Sequence, residues 1–307
     1  MRKAGAVVAS ALLAGLLTLT LIFFIQDAQR SSVMPSLLQN LTRTEAEQFV
    51  SELGLDHSLP QRWVGFMSRS VRLDFGLSFS SGGSVRSAIA SSAWPSLLLL
   101  ATGILFATGL ARLSSIAALK KPWGRFDKTL TSAALGTGAT PFHFLATVAF
   151  VWFVVGLFWF PVGGYSGDQT ATGLAHLMDV ANHLFLPALC LGLVLWGMYH
   201  VWFRTLALDA LTASGRKPES LKGRRKAARE SWVPFVRLVL MSLGYAVVGL
   251  FLVESLFSFR GIGHLFFASI DMADMPTLFG IAVVVCVPLA MISAVARVFE
   301  PGCKADC

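Results

Sequence analysis

Six stretches of this chain contain no charged side chain: 4–26, 87–111, 129–167, 180–203, 238–253 and 275–296. A helix needs roughly 20 apolar residues to cross a hydrocarbon core of about 30 Å, so five of these runs suffice by length alone. The fifth in order, 238–253, becomes long enough if it takes in Glu254, which predicts a span over 236–257 carrying one buried or cavity-facing acid. The run 129–167 is too long for one helix. Its end, Phe160-Pro161-Val162-Gly163-Gly164-Tyr165, is turn chemistry and stops span three near Phe160. Hydrophobic residues make up 55% of the 307 and charged residues 14%, which excludes an ordinary soluble globule and a disordered chain. The reading is an all-α membrane protein with six transmembrane helices.

Arg2 and Lys3 precede the first run, as in a secretory signal peptide. Ala4 to Ile25 is longer than a signal core, however, and no small-x-small cleavage site follows, so the run reads as a retained span. Basic residues fix the orientation. With the N-terminus inside, Arg2, Lys3, Arg112, Lys120, Lys121, Arg125, Lys128, the nine from Arg204 to Arg237, Arg297 and Lys304 are cytoplasmic, 18 of 25. The seven outside lie mainly in one long segment beside Asp27, Glu45, Glu47, Glu52, Asp56 and Asp74. Both termini are therefore expected in the cytoplasm of a bacterial inner membrane. Topology and attraction to anionic headgroups account for the net charge of +8 without nucleic acid, since the cluster Arg216 to Arg229 has no groove-reading motif.

The external segment, 27–94, reads as small helices capping the outer ends of the spans. Thr42-Arg43-Thr44-Glu45 is a capping box, with Gly54 placed to end the helix it opens, and a second amphipathic stretch runs from Pro60 to Arg72 with Trp63, Val64, Phe66 and Met67 apolar. Cys190 and Cys286 fall inside spans, and Cys303 and Cys307 in the tail, so neither a disulfide framework nor a metal-ligand spacing is indicated. Tyr165, Asp168, His176, Asp179 and His183 are metal-capable but too loosely spaced for a site. There is no phosphate-binding loop, no H-E-x-x-H and no nucleophile elbow. No catalytic residue, cofactor or metal is therefore expected, and any ATP must be bound by another chain.

Several landmarks recur in order: Leu73-Asp74-Phe75-Gly76-Leu77-Ser78-Phe79 before span two; Phe160-Pro161-Val162-Gly163-Gly164 after span three; Leu186-Pro187-Ala188-Leu189-Cys190-Leu191-Gly192 in span four; Val253-Glu254-Ser255-Leu256-Phe257-Ser258-Phe259-Arg260-Gly261-Ile262-Gly263 after span five; and Asp274-Met275-Pro276 before span six. In these the chain resembles the permease subunit of a peptide/nickel-type (dipeptide/oligopeptide) ABC importer, the subunit with a first span and a long external segment. The resemblance implies a type I ABC importer permease fold: a first span over 1–26, the external segment over 27–94, a five-span core over 95–298 and a tail over 299–307. It implies as partners a homologous second permease, two ABC ATPase subunits, an external substrate-binding protein and the lipid bilayer. It further implies a cytoplasmic coupling helix within 205–235 that seats on an ATPase.

Members of this class carry a version of E-A-A-x-x-x-G at that helix, and here the pattern is degraded. One alignment puts the family glycine on Gly223, giving a short coupling helix made of Pro218, Glu219, Ser220, Leu221, Lys222 and Gly223. Another puts Asp209-Ala210-Leu211 and Gly215 on the motif. Proline is tolerated in a first turn, so a helix beginning at Pro218 is allowed but one running through it is not.

Polar residues inside the spans mark either inter-helix partners or the translocation path. His143, His200 and Glu254 are the candidates; for Glu254 the resemblance favours fixing the re-entrant Phe259–His264 segment. The glycines Gly103, Gly109, Gly136, Gly138, Gly192, Gly197 and Gly244 are placed for close helix approach. Peptides are the substrate class the resemblance implies first, with nickel chelates, opines and antimicrobial peptides as alternatives. Two rivals remain: a degenerate scaffold or sensor that has lost coupling, and an ion-driven transporter, which lacks deep acids and an inverted repeat.

Overall fold

The computed structural model describes residues 2–38, 57–164, 166 and 173–298. Among them the regular secondary structure is helical, joined by turns and loops, apart from an isolated antiparallel bridge between Leu77 and Ser84. Helix α1 spans Arg2–Leu38, α2 Leu59–Val71, α3 Val85–Ala118, α4 Arg125–Ala139 and α5 Phe142–Ala149, which continues as a π-helical turn over Phe150–Gly156. There follow α6 (Gly173–Ala213), α7 (Leu221–Glu230), α8 (Trp232–Met241), α9 (Leu243–Leu256), α10 (Ile262–Asp271) and α11 (Met275–Val298). Four described helices are long and apolar enough to cross a bilayer, over Gly5–Ala28, Val85–Ala118, Gly173–Ala213 and Met275–Arg297. Two bent pairs, α4 with α5 and α8 with α9, bring the number to six if each is one span. The charge-free runs thus locate every span.

The bends were not foreseen. The axis turns by 97° between α4 and α5. Pro141 is the cause: a residue before proline is driven out of the helical region, and Thr140 sits at φ −76°, ψ 128°. Between α8 and α9 the turn is 55°, at Ser242, whose hydroxyl donates to the Val239 carbonyl at 2.8 Å. No proline lies at that break. Span three leaves the helix at Gly156, earlier than Phe160, and span five begins at Trp232, earlier than 236. Pro234 falls in the first turn of α8, where it costs no hydrogen bond.

The contacts divide the chain into two compact units, Met1–Ala90 with Ala268–Cys307, and Ser91–Phe267. This cut by contact differs from the division by membrane side. In the first unit α1 packs along α11, with Gly15 against Met291 and Val287. Phe23 meets the Phe66 ring at 5.7 Å. The amphipathic stretch predicted from Pro60 to Arg72 is α2, docked on α1 near Thr20 and Asp27. Trp63 Nε1 donates to Thr20 Oγ1 at 3.3 Å, and Arg62 pairs with Asp27 at 2.5 Å. Of its four apolar residues Val64 points outward, at 58% exposure. The capping box at Thr42–Glu45 and Gly54 lie outside the described residues.

In the second unit α6 is the central helix, and two thirds of its apolar window (67%) is buried. Glycine makes that possible. A Cβ on Gly197 would collide with the Ala134 carbonyl and the Gly138 backbone, so α4 and α6 touch main chain to main chain. Gly103 and Gly192 let α3 pack against α6, where a Cβ would meet the side chains of Leu191 and Phe106. Among the described residues nothing lies within 4 Å of a Cβ placed on Gly109, Gly136 or Gly244.

Candidate functional site

Sequence landmarks far apart in the chain meet in pairs. In the first unit the loop Leu73–Phe79 closes on Asp274, whose carboxylate accepts from Ser78 Oγ (2.5 Å), Thr277 Oγ1 (2.8 Å), Ser80 Oγ (3.0 Å) and Phe79 N (3.1 Å). Burial pushes this carboxyl up, but those hydrogen bonds outweigh it and hold the group below the usual carboxylate range. Its hold on the loop is therefore intact at neutral pH and is lost only as pH falls through that lowered pKa. In the second unit Phe160–Gly164 meets Val253–Gly263, where Gly164 N donates to the Phe257 carbonyl at 3.3 Å. Gly163 leaves no room there for a Cβ.

Glu254 organises the second meeting. It is fully buried at the end of α9, and Oε2 accepts from Gly263 N at 2.7 Å and His264 N at 3.4 Å. These are free N–H groups of the first turn of α10, and a carboxylate there also meets the positive end of the helix dipole. Ser96 Oγ takes the third, from Ile262 N at 2.7 Å. A Cβ on Gly261 would strike the Glu254 carboxylate, which explains why this turn carries glycine.

His200 is also fully buried, in a polar knot joining α3, α4 and α6. Its Nδ1 lies 2.8 Å from Ser114 Oγ and its Nε2 3.4 Å from Thr131 Oγ1, while Trp196 Nε1 donates to Ser114 Oγ at 3.2 Å. One turn on, Arg204 grips Asp127 with Nε at 2.6 Å and Nη2 at 2.5 Å. Trp123 N donates to the same carboxylate at 2.7 Å, and the Arg204 guanidinium stacks over the Trp123 ring at 4.8 Å. This pair was not singled out in the sequence. Its two members are 77 residues apart and sit at the edges of charge-free runs, where they pass for topology markers.

His143 is different. It is exposed on α5, directly after the 97° break. The three intramembrane candidates thus occupy three separate settings, two of them closed by protein. Of the metal-capable residues, Asp179 accepts from Ser166 at 2.6 Å and pairs with His183 at 3.2 Å, while Tyr165 and Asp168 lie outside the described residues.

The coupling segment requires a correction. No helix covers Pro218–Gly223. Pro218 and Glu219 form a turn closed by Ser220 N to the Lys217 carbonyl at 3.1 Å, and α7 starts at Leu221 and runs to Glu230. Ser220 is its N-cap, accepting from Gly223 N at 3.3 Å. Before the turn, Gly215 (φ +60°) closes α6: Arg216 N donates to the Leu211 carbonyl and Gly215 N to that of Thr212, the left-handed glycine ending that helices favour. Serine before a helix and glycine after one were both legible; the preference for proline at a helix start misled the boundary. Arg216 then reaches Glu230 at 2.5 and 2.9 Å, tying the two ends of the hairpin and holding the Glu230 carboxyl below its usual range.

No protein-family model matches the chain. Individual relatives do. A putative peptide permease protein of Brucella suis biovar 1 is 27% identical over 284 residues, 88% of each chain. The oligopeptide transport system permease protein AppB of Bacillus subtilis is 24% identical over 85% of each. The glutathione transport system permease protein GsiC of Escherichia coli K12 is 27% identical over 74% of this chain and 72% of its own. The chain is a relative of peptide-type permease subunits. The resemblance read from its landmarks is borne out, as is an all-helical fold of the type I importer permeases. With these relatives and its apolar helices, it is a multi-pass inner-membrane protein.

Proposed function

We propose that the chain is one of two homologous permeases of an ATP-driven ABC importer. It forms half of a path for peptides or related small solutes, takes substrate from an external binding protein, and couples to two cytoplasmic ATPases, with both its termini in the cytoplasm. The observation that carries this reading is the similarity to peptide permeases across 88% of the chain. The basic character of the α6–α7 hairpin supports its placement inside. Purifying the tagged full chain from native membranes should recover a second permease and an ATPase. A solitary chain or a homo-oligomer would reject the assignment.

Coupling is assigned to Pro218–Gly223, now as a capped turn leading into α7. Glu219 is exposed there, and Leu221 is 46% exposed, an apolar contact offered at the tip of a charged hairpin. The expected result of Glu219→Ala with Leu221→Ala is an intact assembly whose ATPase activity no longer rises with substrate; undiminished stimulation removes the role. His143, exposed beside the break, is proposed to face the path, whereas the enclosure of His200 and Glu254 supports roles in positioning helices. The shortness of the hairpin favours one second reading, a scaffold that has lost its ATPases: only residues 214–220 separate α6 from α7. The same purification separates the two.

A further inference from the structure

Helix α7 has two faces of opposite character. Arg224, Ala227 and Ala228 are buried, while Lys222, Arg225, Lys226 and Arg229, at i, i+3, i+4 and i+7, form one exposed stripe. These four line a cavity of about 850 Å³ whose opposite wall is the end of α3, where Arg112 adds a fifth cation. No acidic side chain lines it. The one acid on α7, Glu230, is turned to Arg216 by two hydrogen bonds. The Arg112 guanidinium is held over the Trp232 ring, 5.5 Å from its centre, so one cation is positioned before anything binds.

Like charges spaced this closely on one helix face repel, and a concave wall concentrates their field. The cavity therefore favours an anion with several acceptor oxygens. The rest of the lining narrows the choice. Leu113 and Ile116, on the membrane-spanning helix α3, form an apolar strip beside the cations, and Leu113 is 69% exposed. Five cations next to an exposed apolar strip at the end of a span match the phosphate and first acyl carbons of a phospholipid better than a soluble anion.

We propose that this cavity is a specific site for the phosphate headgroup of an anionic phospholipid. Bound there, the lipid bridges α3 and α7 and steadies the hairpin that follows α6. The site needs neither an ATPase nor a transported solute, so its test is independent of the importer reading.

The full chain, purified in detergent, is titrated with phosphatidylglycerol and with phosphatidylethanolamine and the bound lipid counted by native mass spectrometry. One tightly held phosphatidylglycerol per chain is expected, with phosphatidylethanolamine bound more weakly. Lys226→Gln with Arg229→Gln should weaken phosphatidylglycerol binding by about twenty-five-fold, since each surface cation contributes about a factor of five. Lys226→Arg should leave it unchanged. Arg72→Gln with Arg86→Gln removes the same charge from another exposed region and should have little effect. Equal losses in both double variants, or no lipid preference, would mean diffuse attraction and overturn the site. Displacement of the lipid by millimolar inorganic phosphate would reassign the cavity to a soluble phosphate. An acidic protein partner is the third outcome: if the pocket variant keeps its lipid but fails to co-purify a companion chain, the lipid proposal fails.

Discussion

Replacing Arg204 with leucine should be among the most damaging single changes to the structure, costing about 3–5 kcal/mol. The loss is larger than the contact itself because of what stays behind. Asp127 is 1% exposed, and without the guanidinium its carboxylate keeps only Trp123 N at 2.7 Å and Thr131 Oγ1 at 3.4 Å. A buried charge stripped of its counter-charge retains its desolvation cost and loses the attraction that offset it. The double variant Asp127→Leu/Arg204→Leu removes both charges and should recover most of the stability, since well-packed apolar residues replace buried ion pairs at little net cost. Thermal unfolding of the four proteins in one detergent forms the cycle. If R204L unfolds within a degree or two of the unaltered chain, the pair is not a structural latch. The location adds interest: Asp127 is on the first turn of α4, Arg204 on α6, and between them they fix the lower arm of the helix pair that breaks at Thr140.

How much of this was visible beforehand depends on how local each cause is. The number and order of spans come from apolar length between charges, a property of single segments, and were readable. So were α2 and α11, whose bounds fall within a residue or two of those expected. The break after Thr140 has a local cause in Pro141 and was missed only because proline is often accommodated inside membrane helices. Pro95, Pro187 and Pro288 all lie within unbroken helices here. The break at Ser242 has no such local signal. The partners of His200 and the Asp127–Arg204 pair were out of reach for a different reason, since nothing in one segment says which turn of another will face it. Family landmarks partly overcame that barrier. Leu73–Phe79 with Asp274, and Phe160–Gly164 with the Glu254 segment, are pairs of distant motifs that turn out to be hydrogen-bonded to each other. In each pair one loop is held closed by the other.

That coupling makes Glu254 the second position of large effect. Glu254→Ala strips the acceptor from Gly263 N and His264 N inside a closed site, and leaving buried donors unpaired costs about 1–3 kcal/mol each. Glu254→Gln keeps an oxygen in place and should lose much less, because it forfeits only the charge and its interaction with the α10 dipole. A destabilisation of about 3 kcal/mol for alanine, with glutamine retaining more than half of the stability, is the expected pattern in thermal unfolding. A plain void would produce a different one: Gln and Ala would then differ by volume alone, and Glu254→Met would rescue as well as Glu254→Gln. Methionine fills the space but accepts no strong hydrogen bond, so a methionine variant as stable as glutamine would remove the capping role. The turn offers an internal control, because Gly261→Ala drives a methyl group into the same carboxylate while leaving its chemistry as an acceptor unchanged. In a Glu254→Ala background that methyl group has somewhere to go. The second substitution should therefore do less harm there than in the unaltered chain, a non-additivity that contact between the two sites requires.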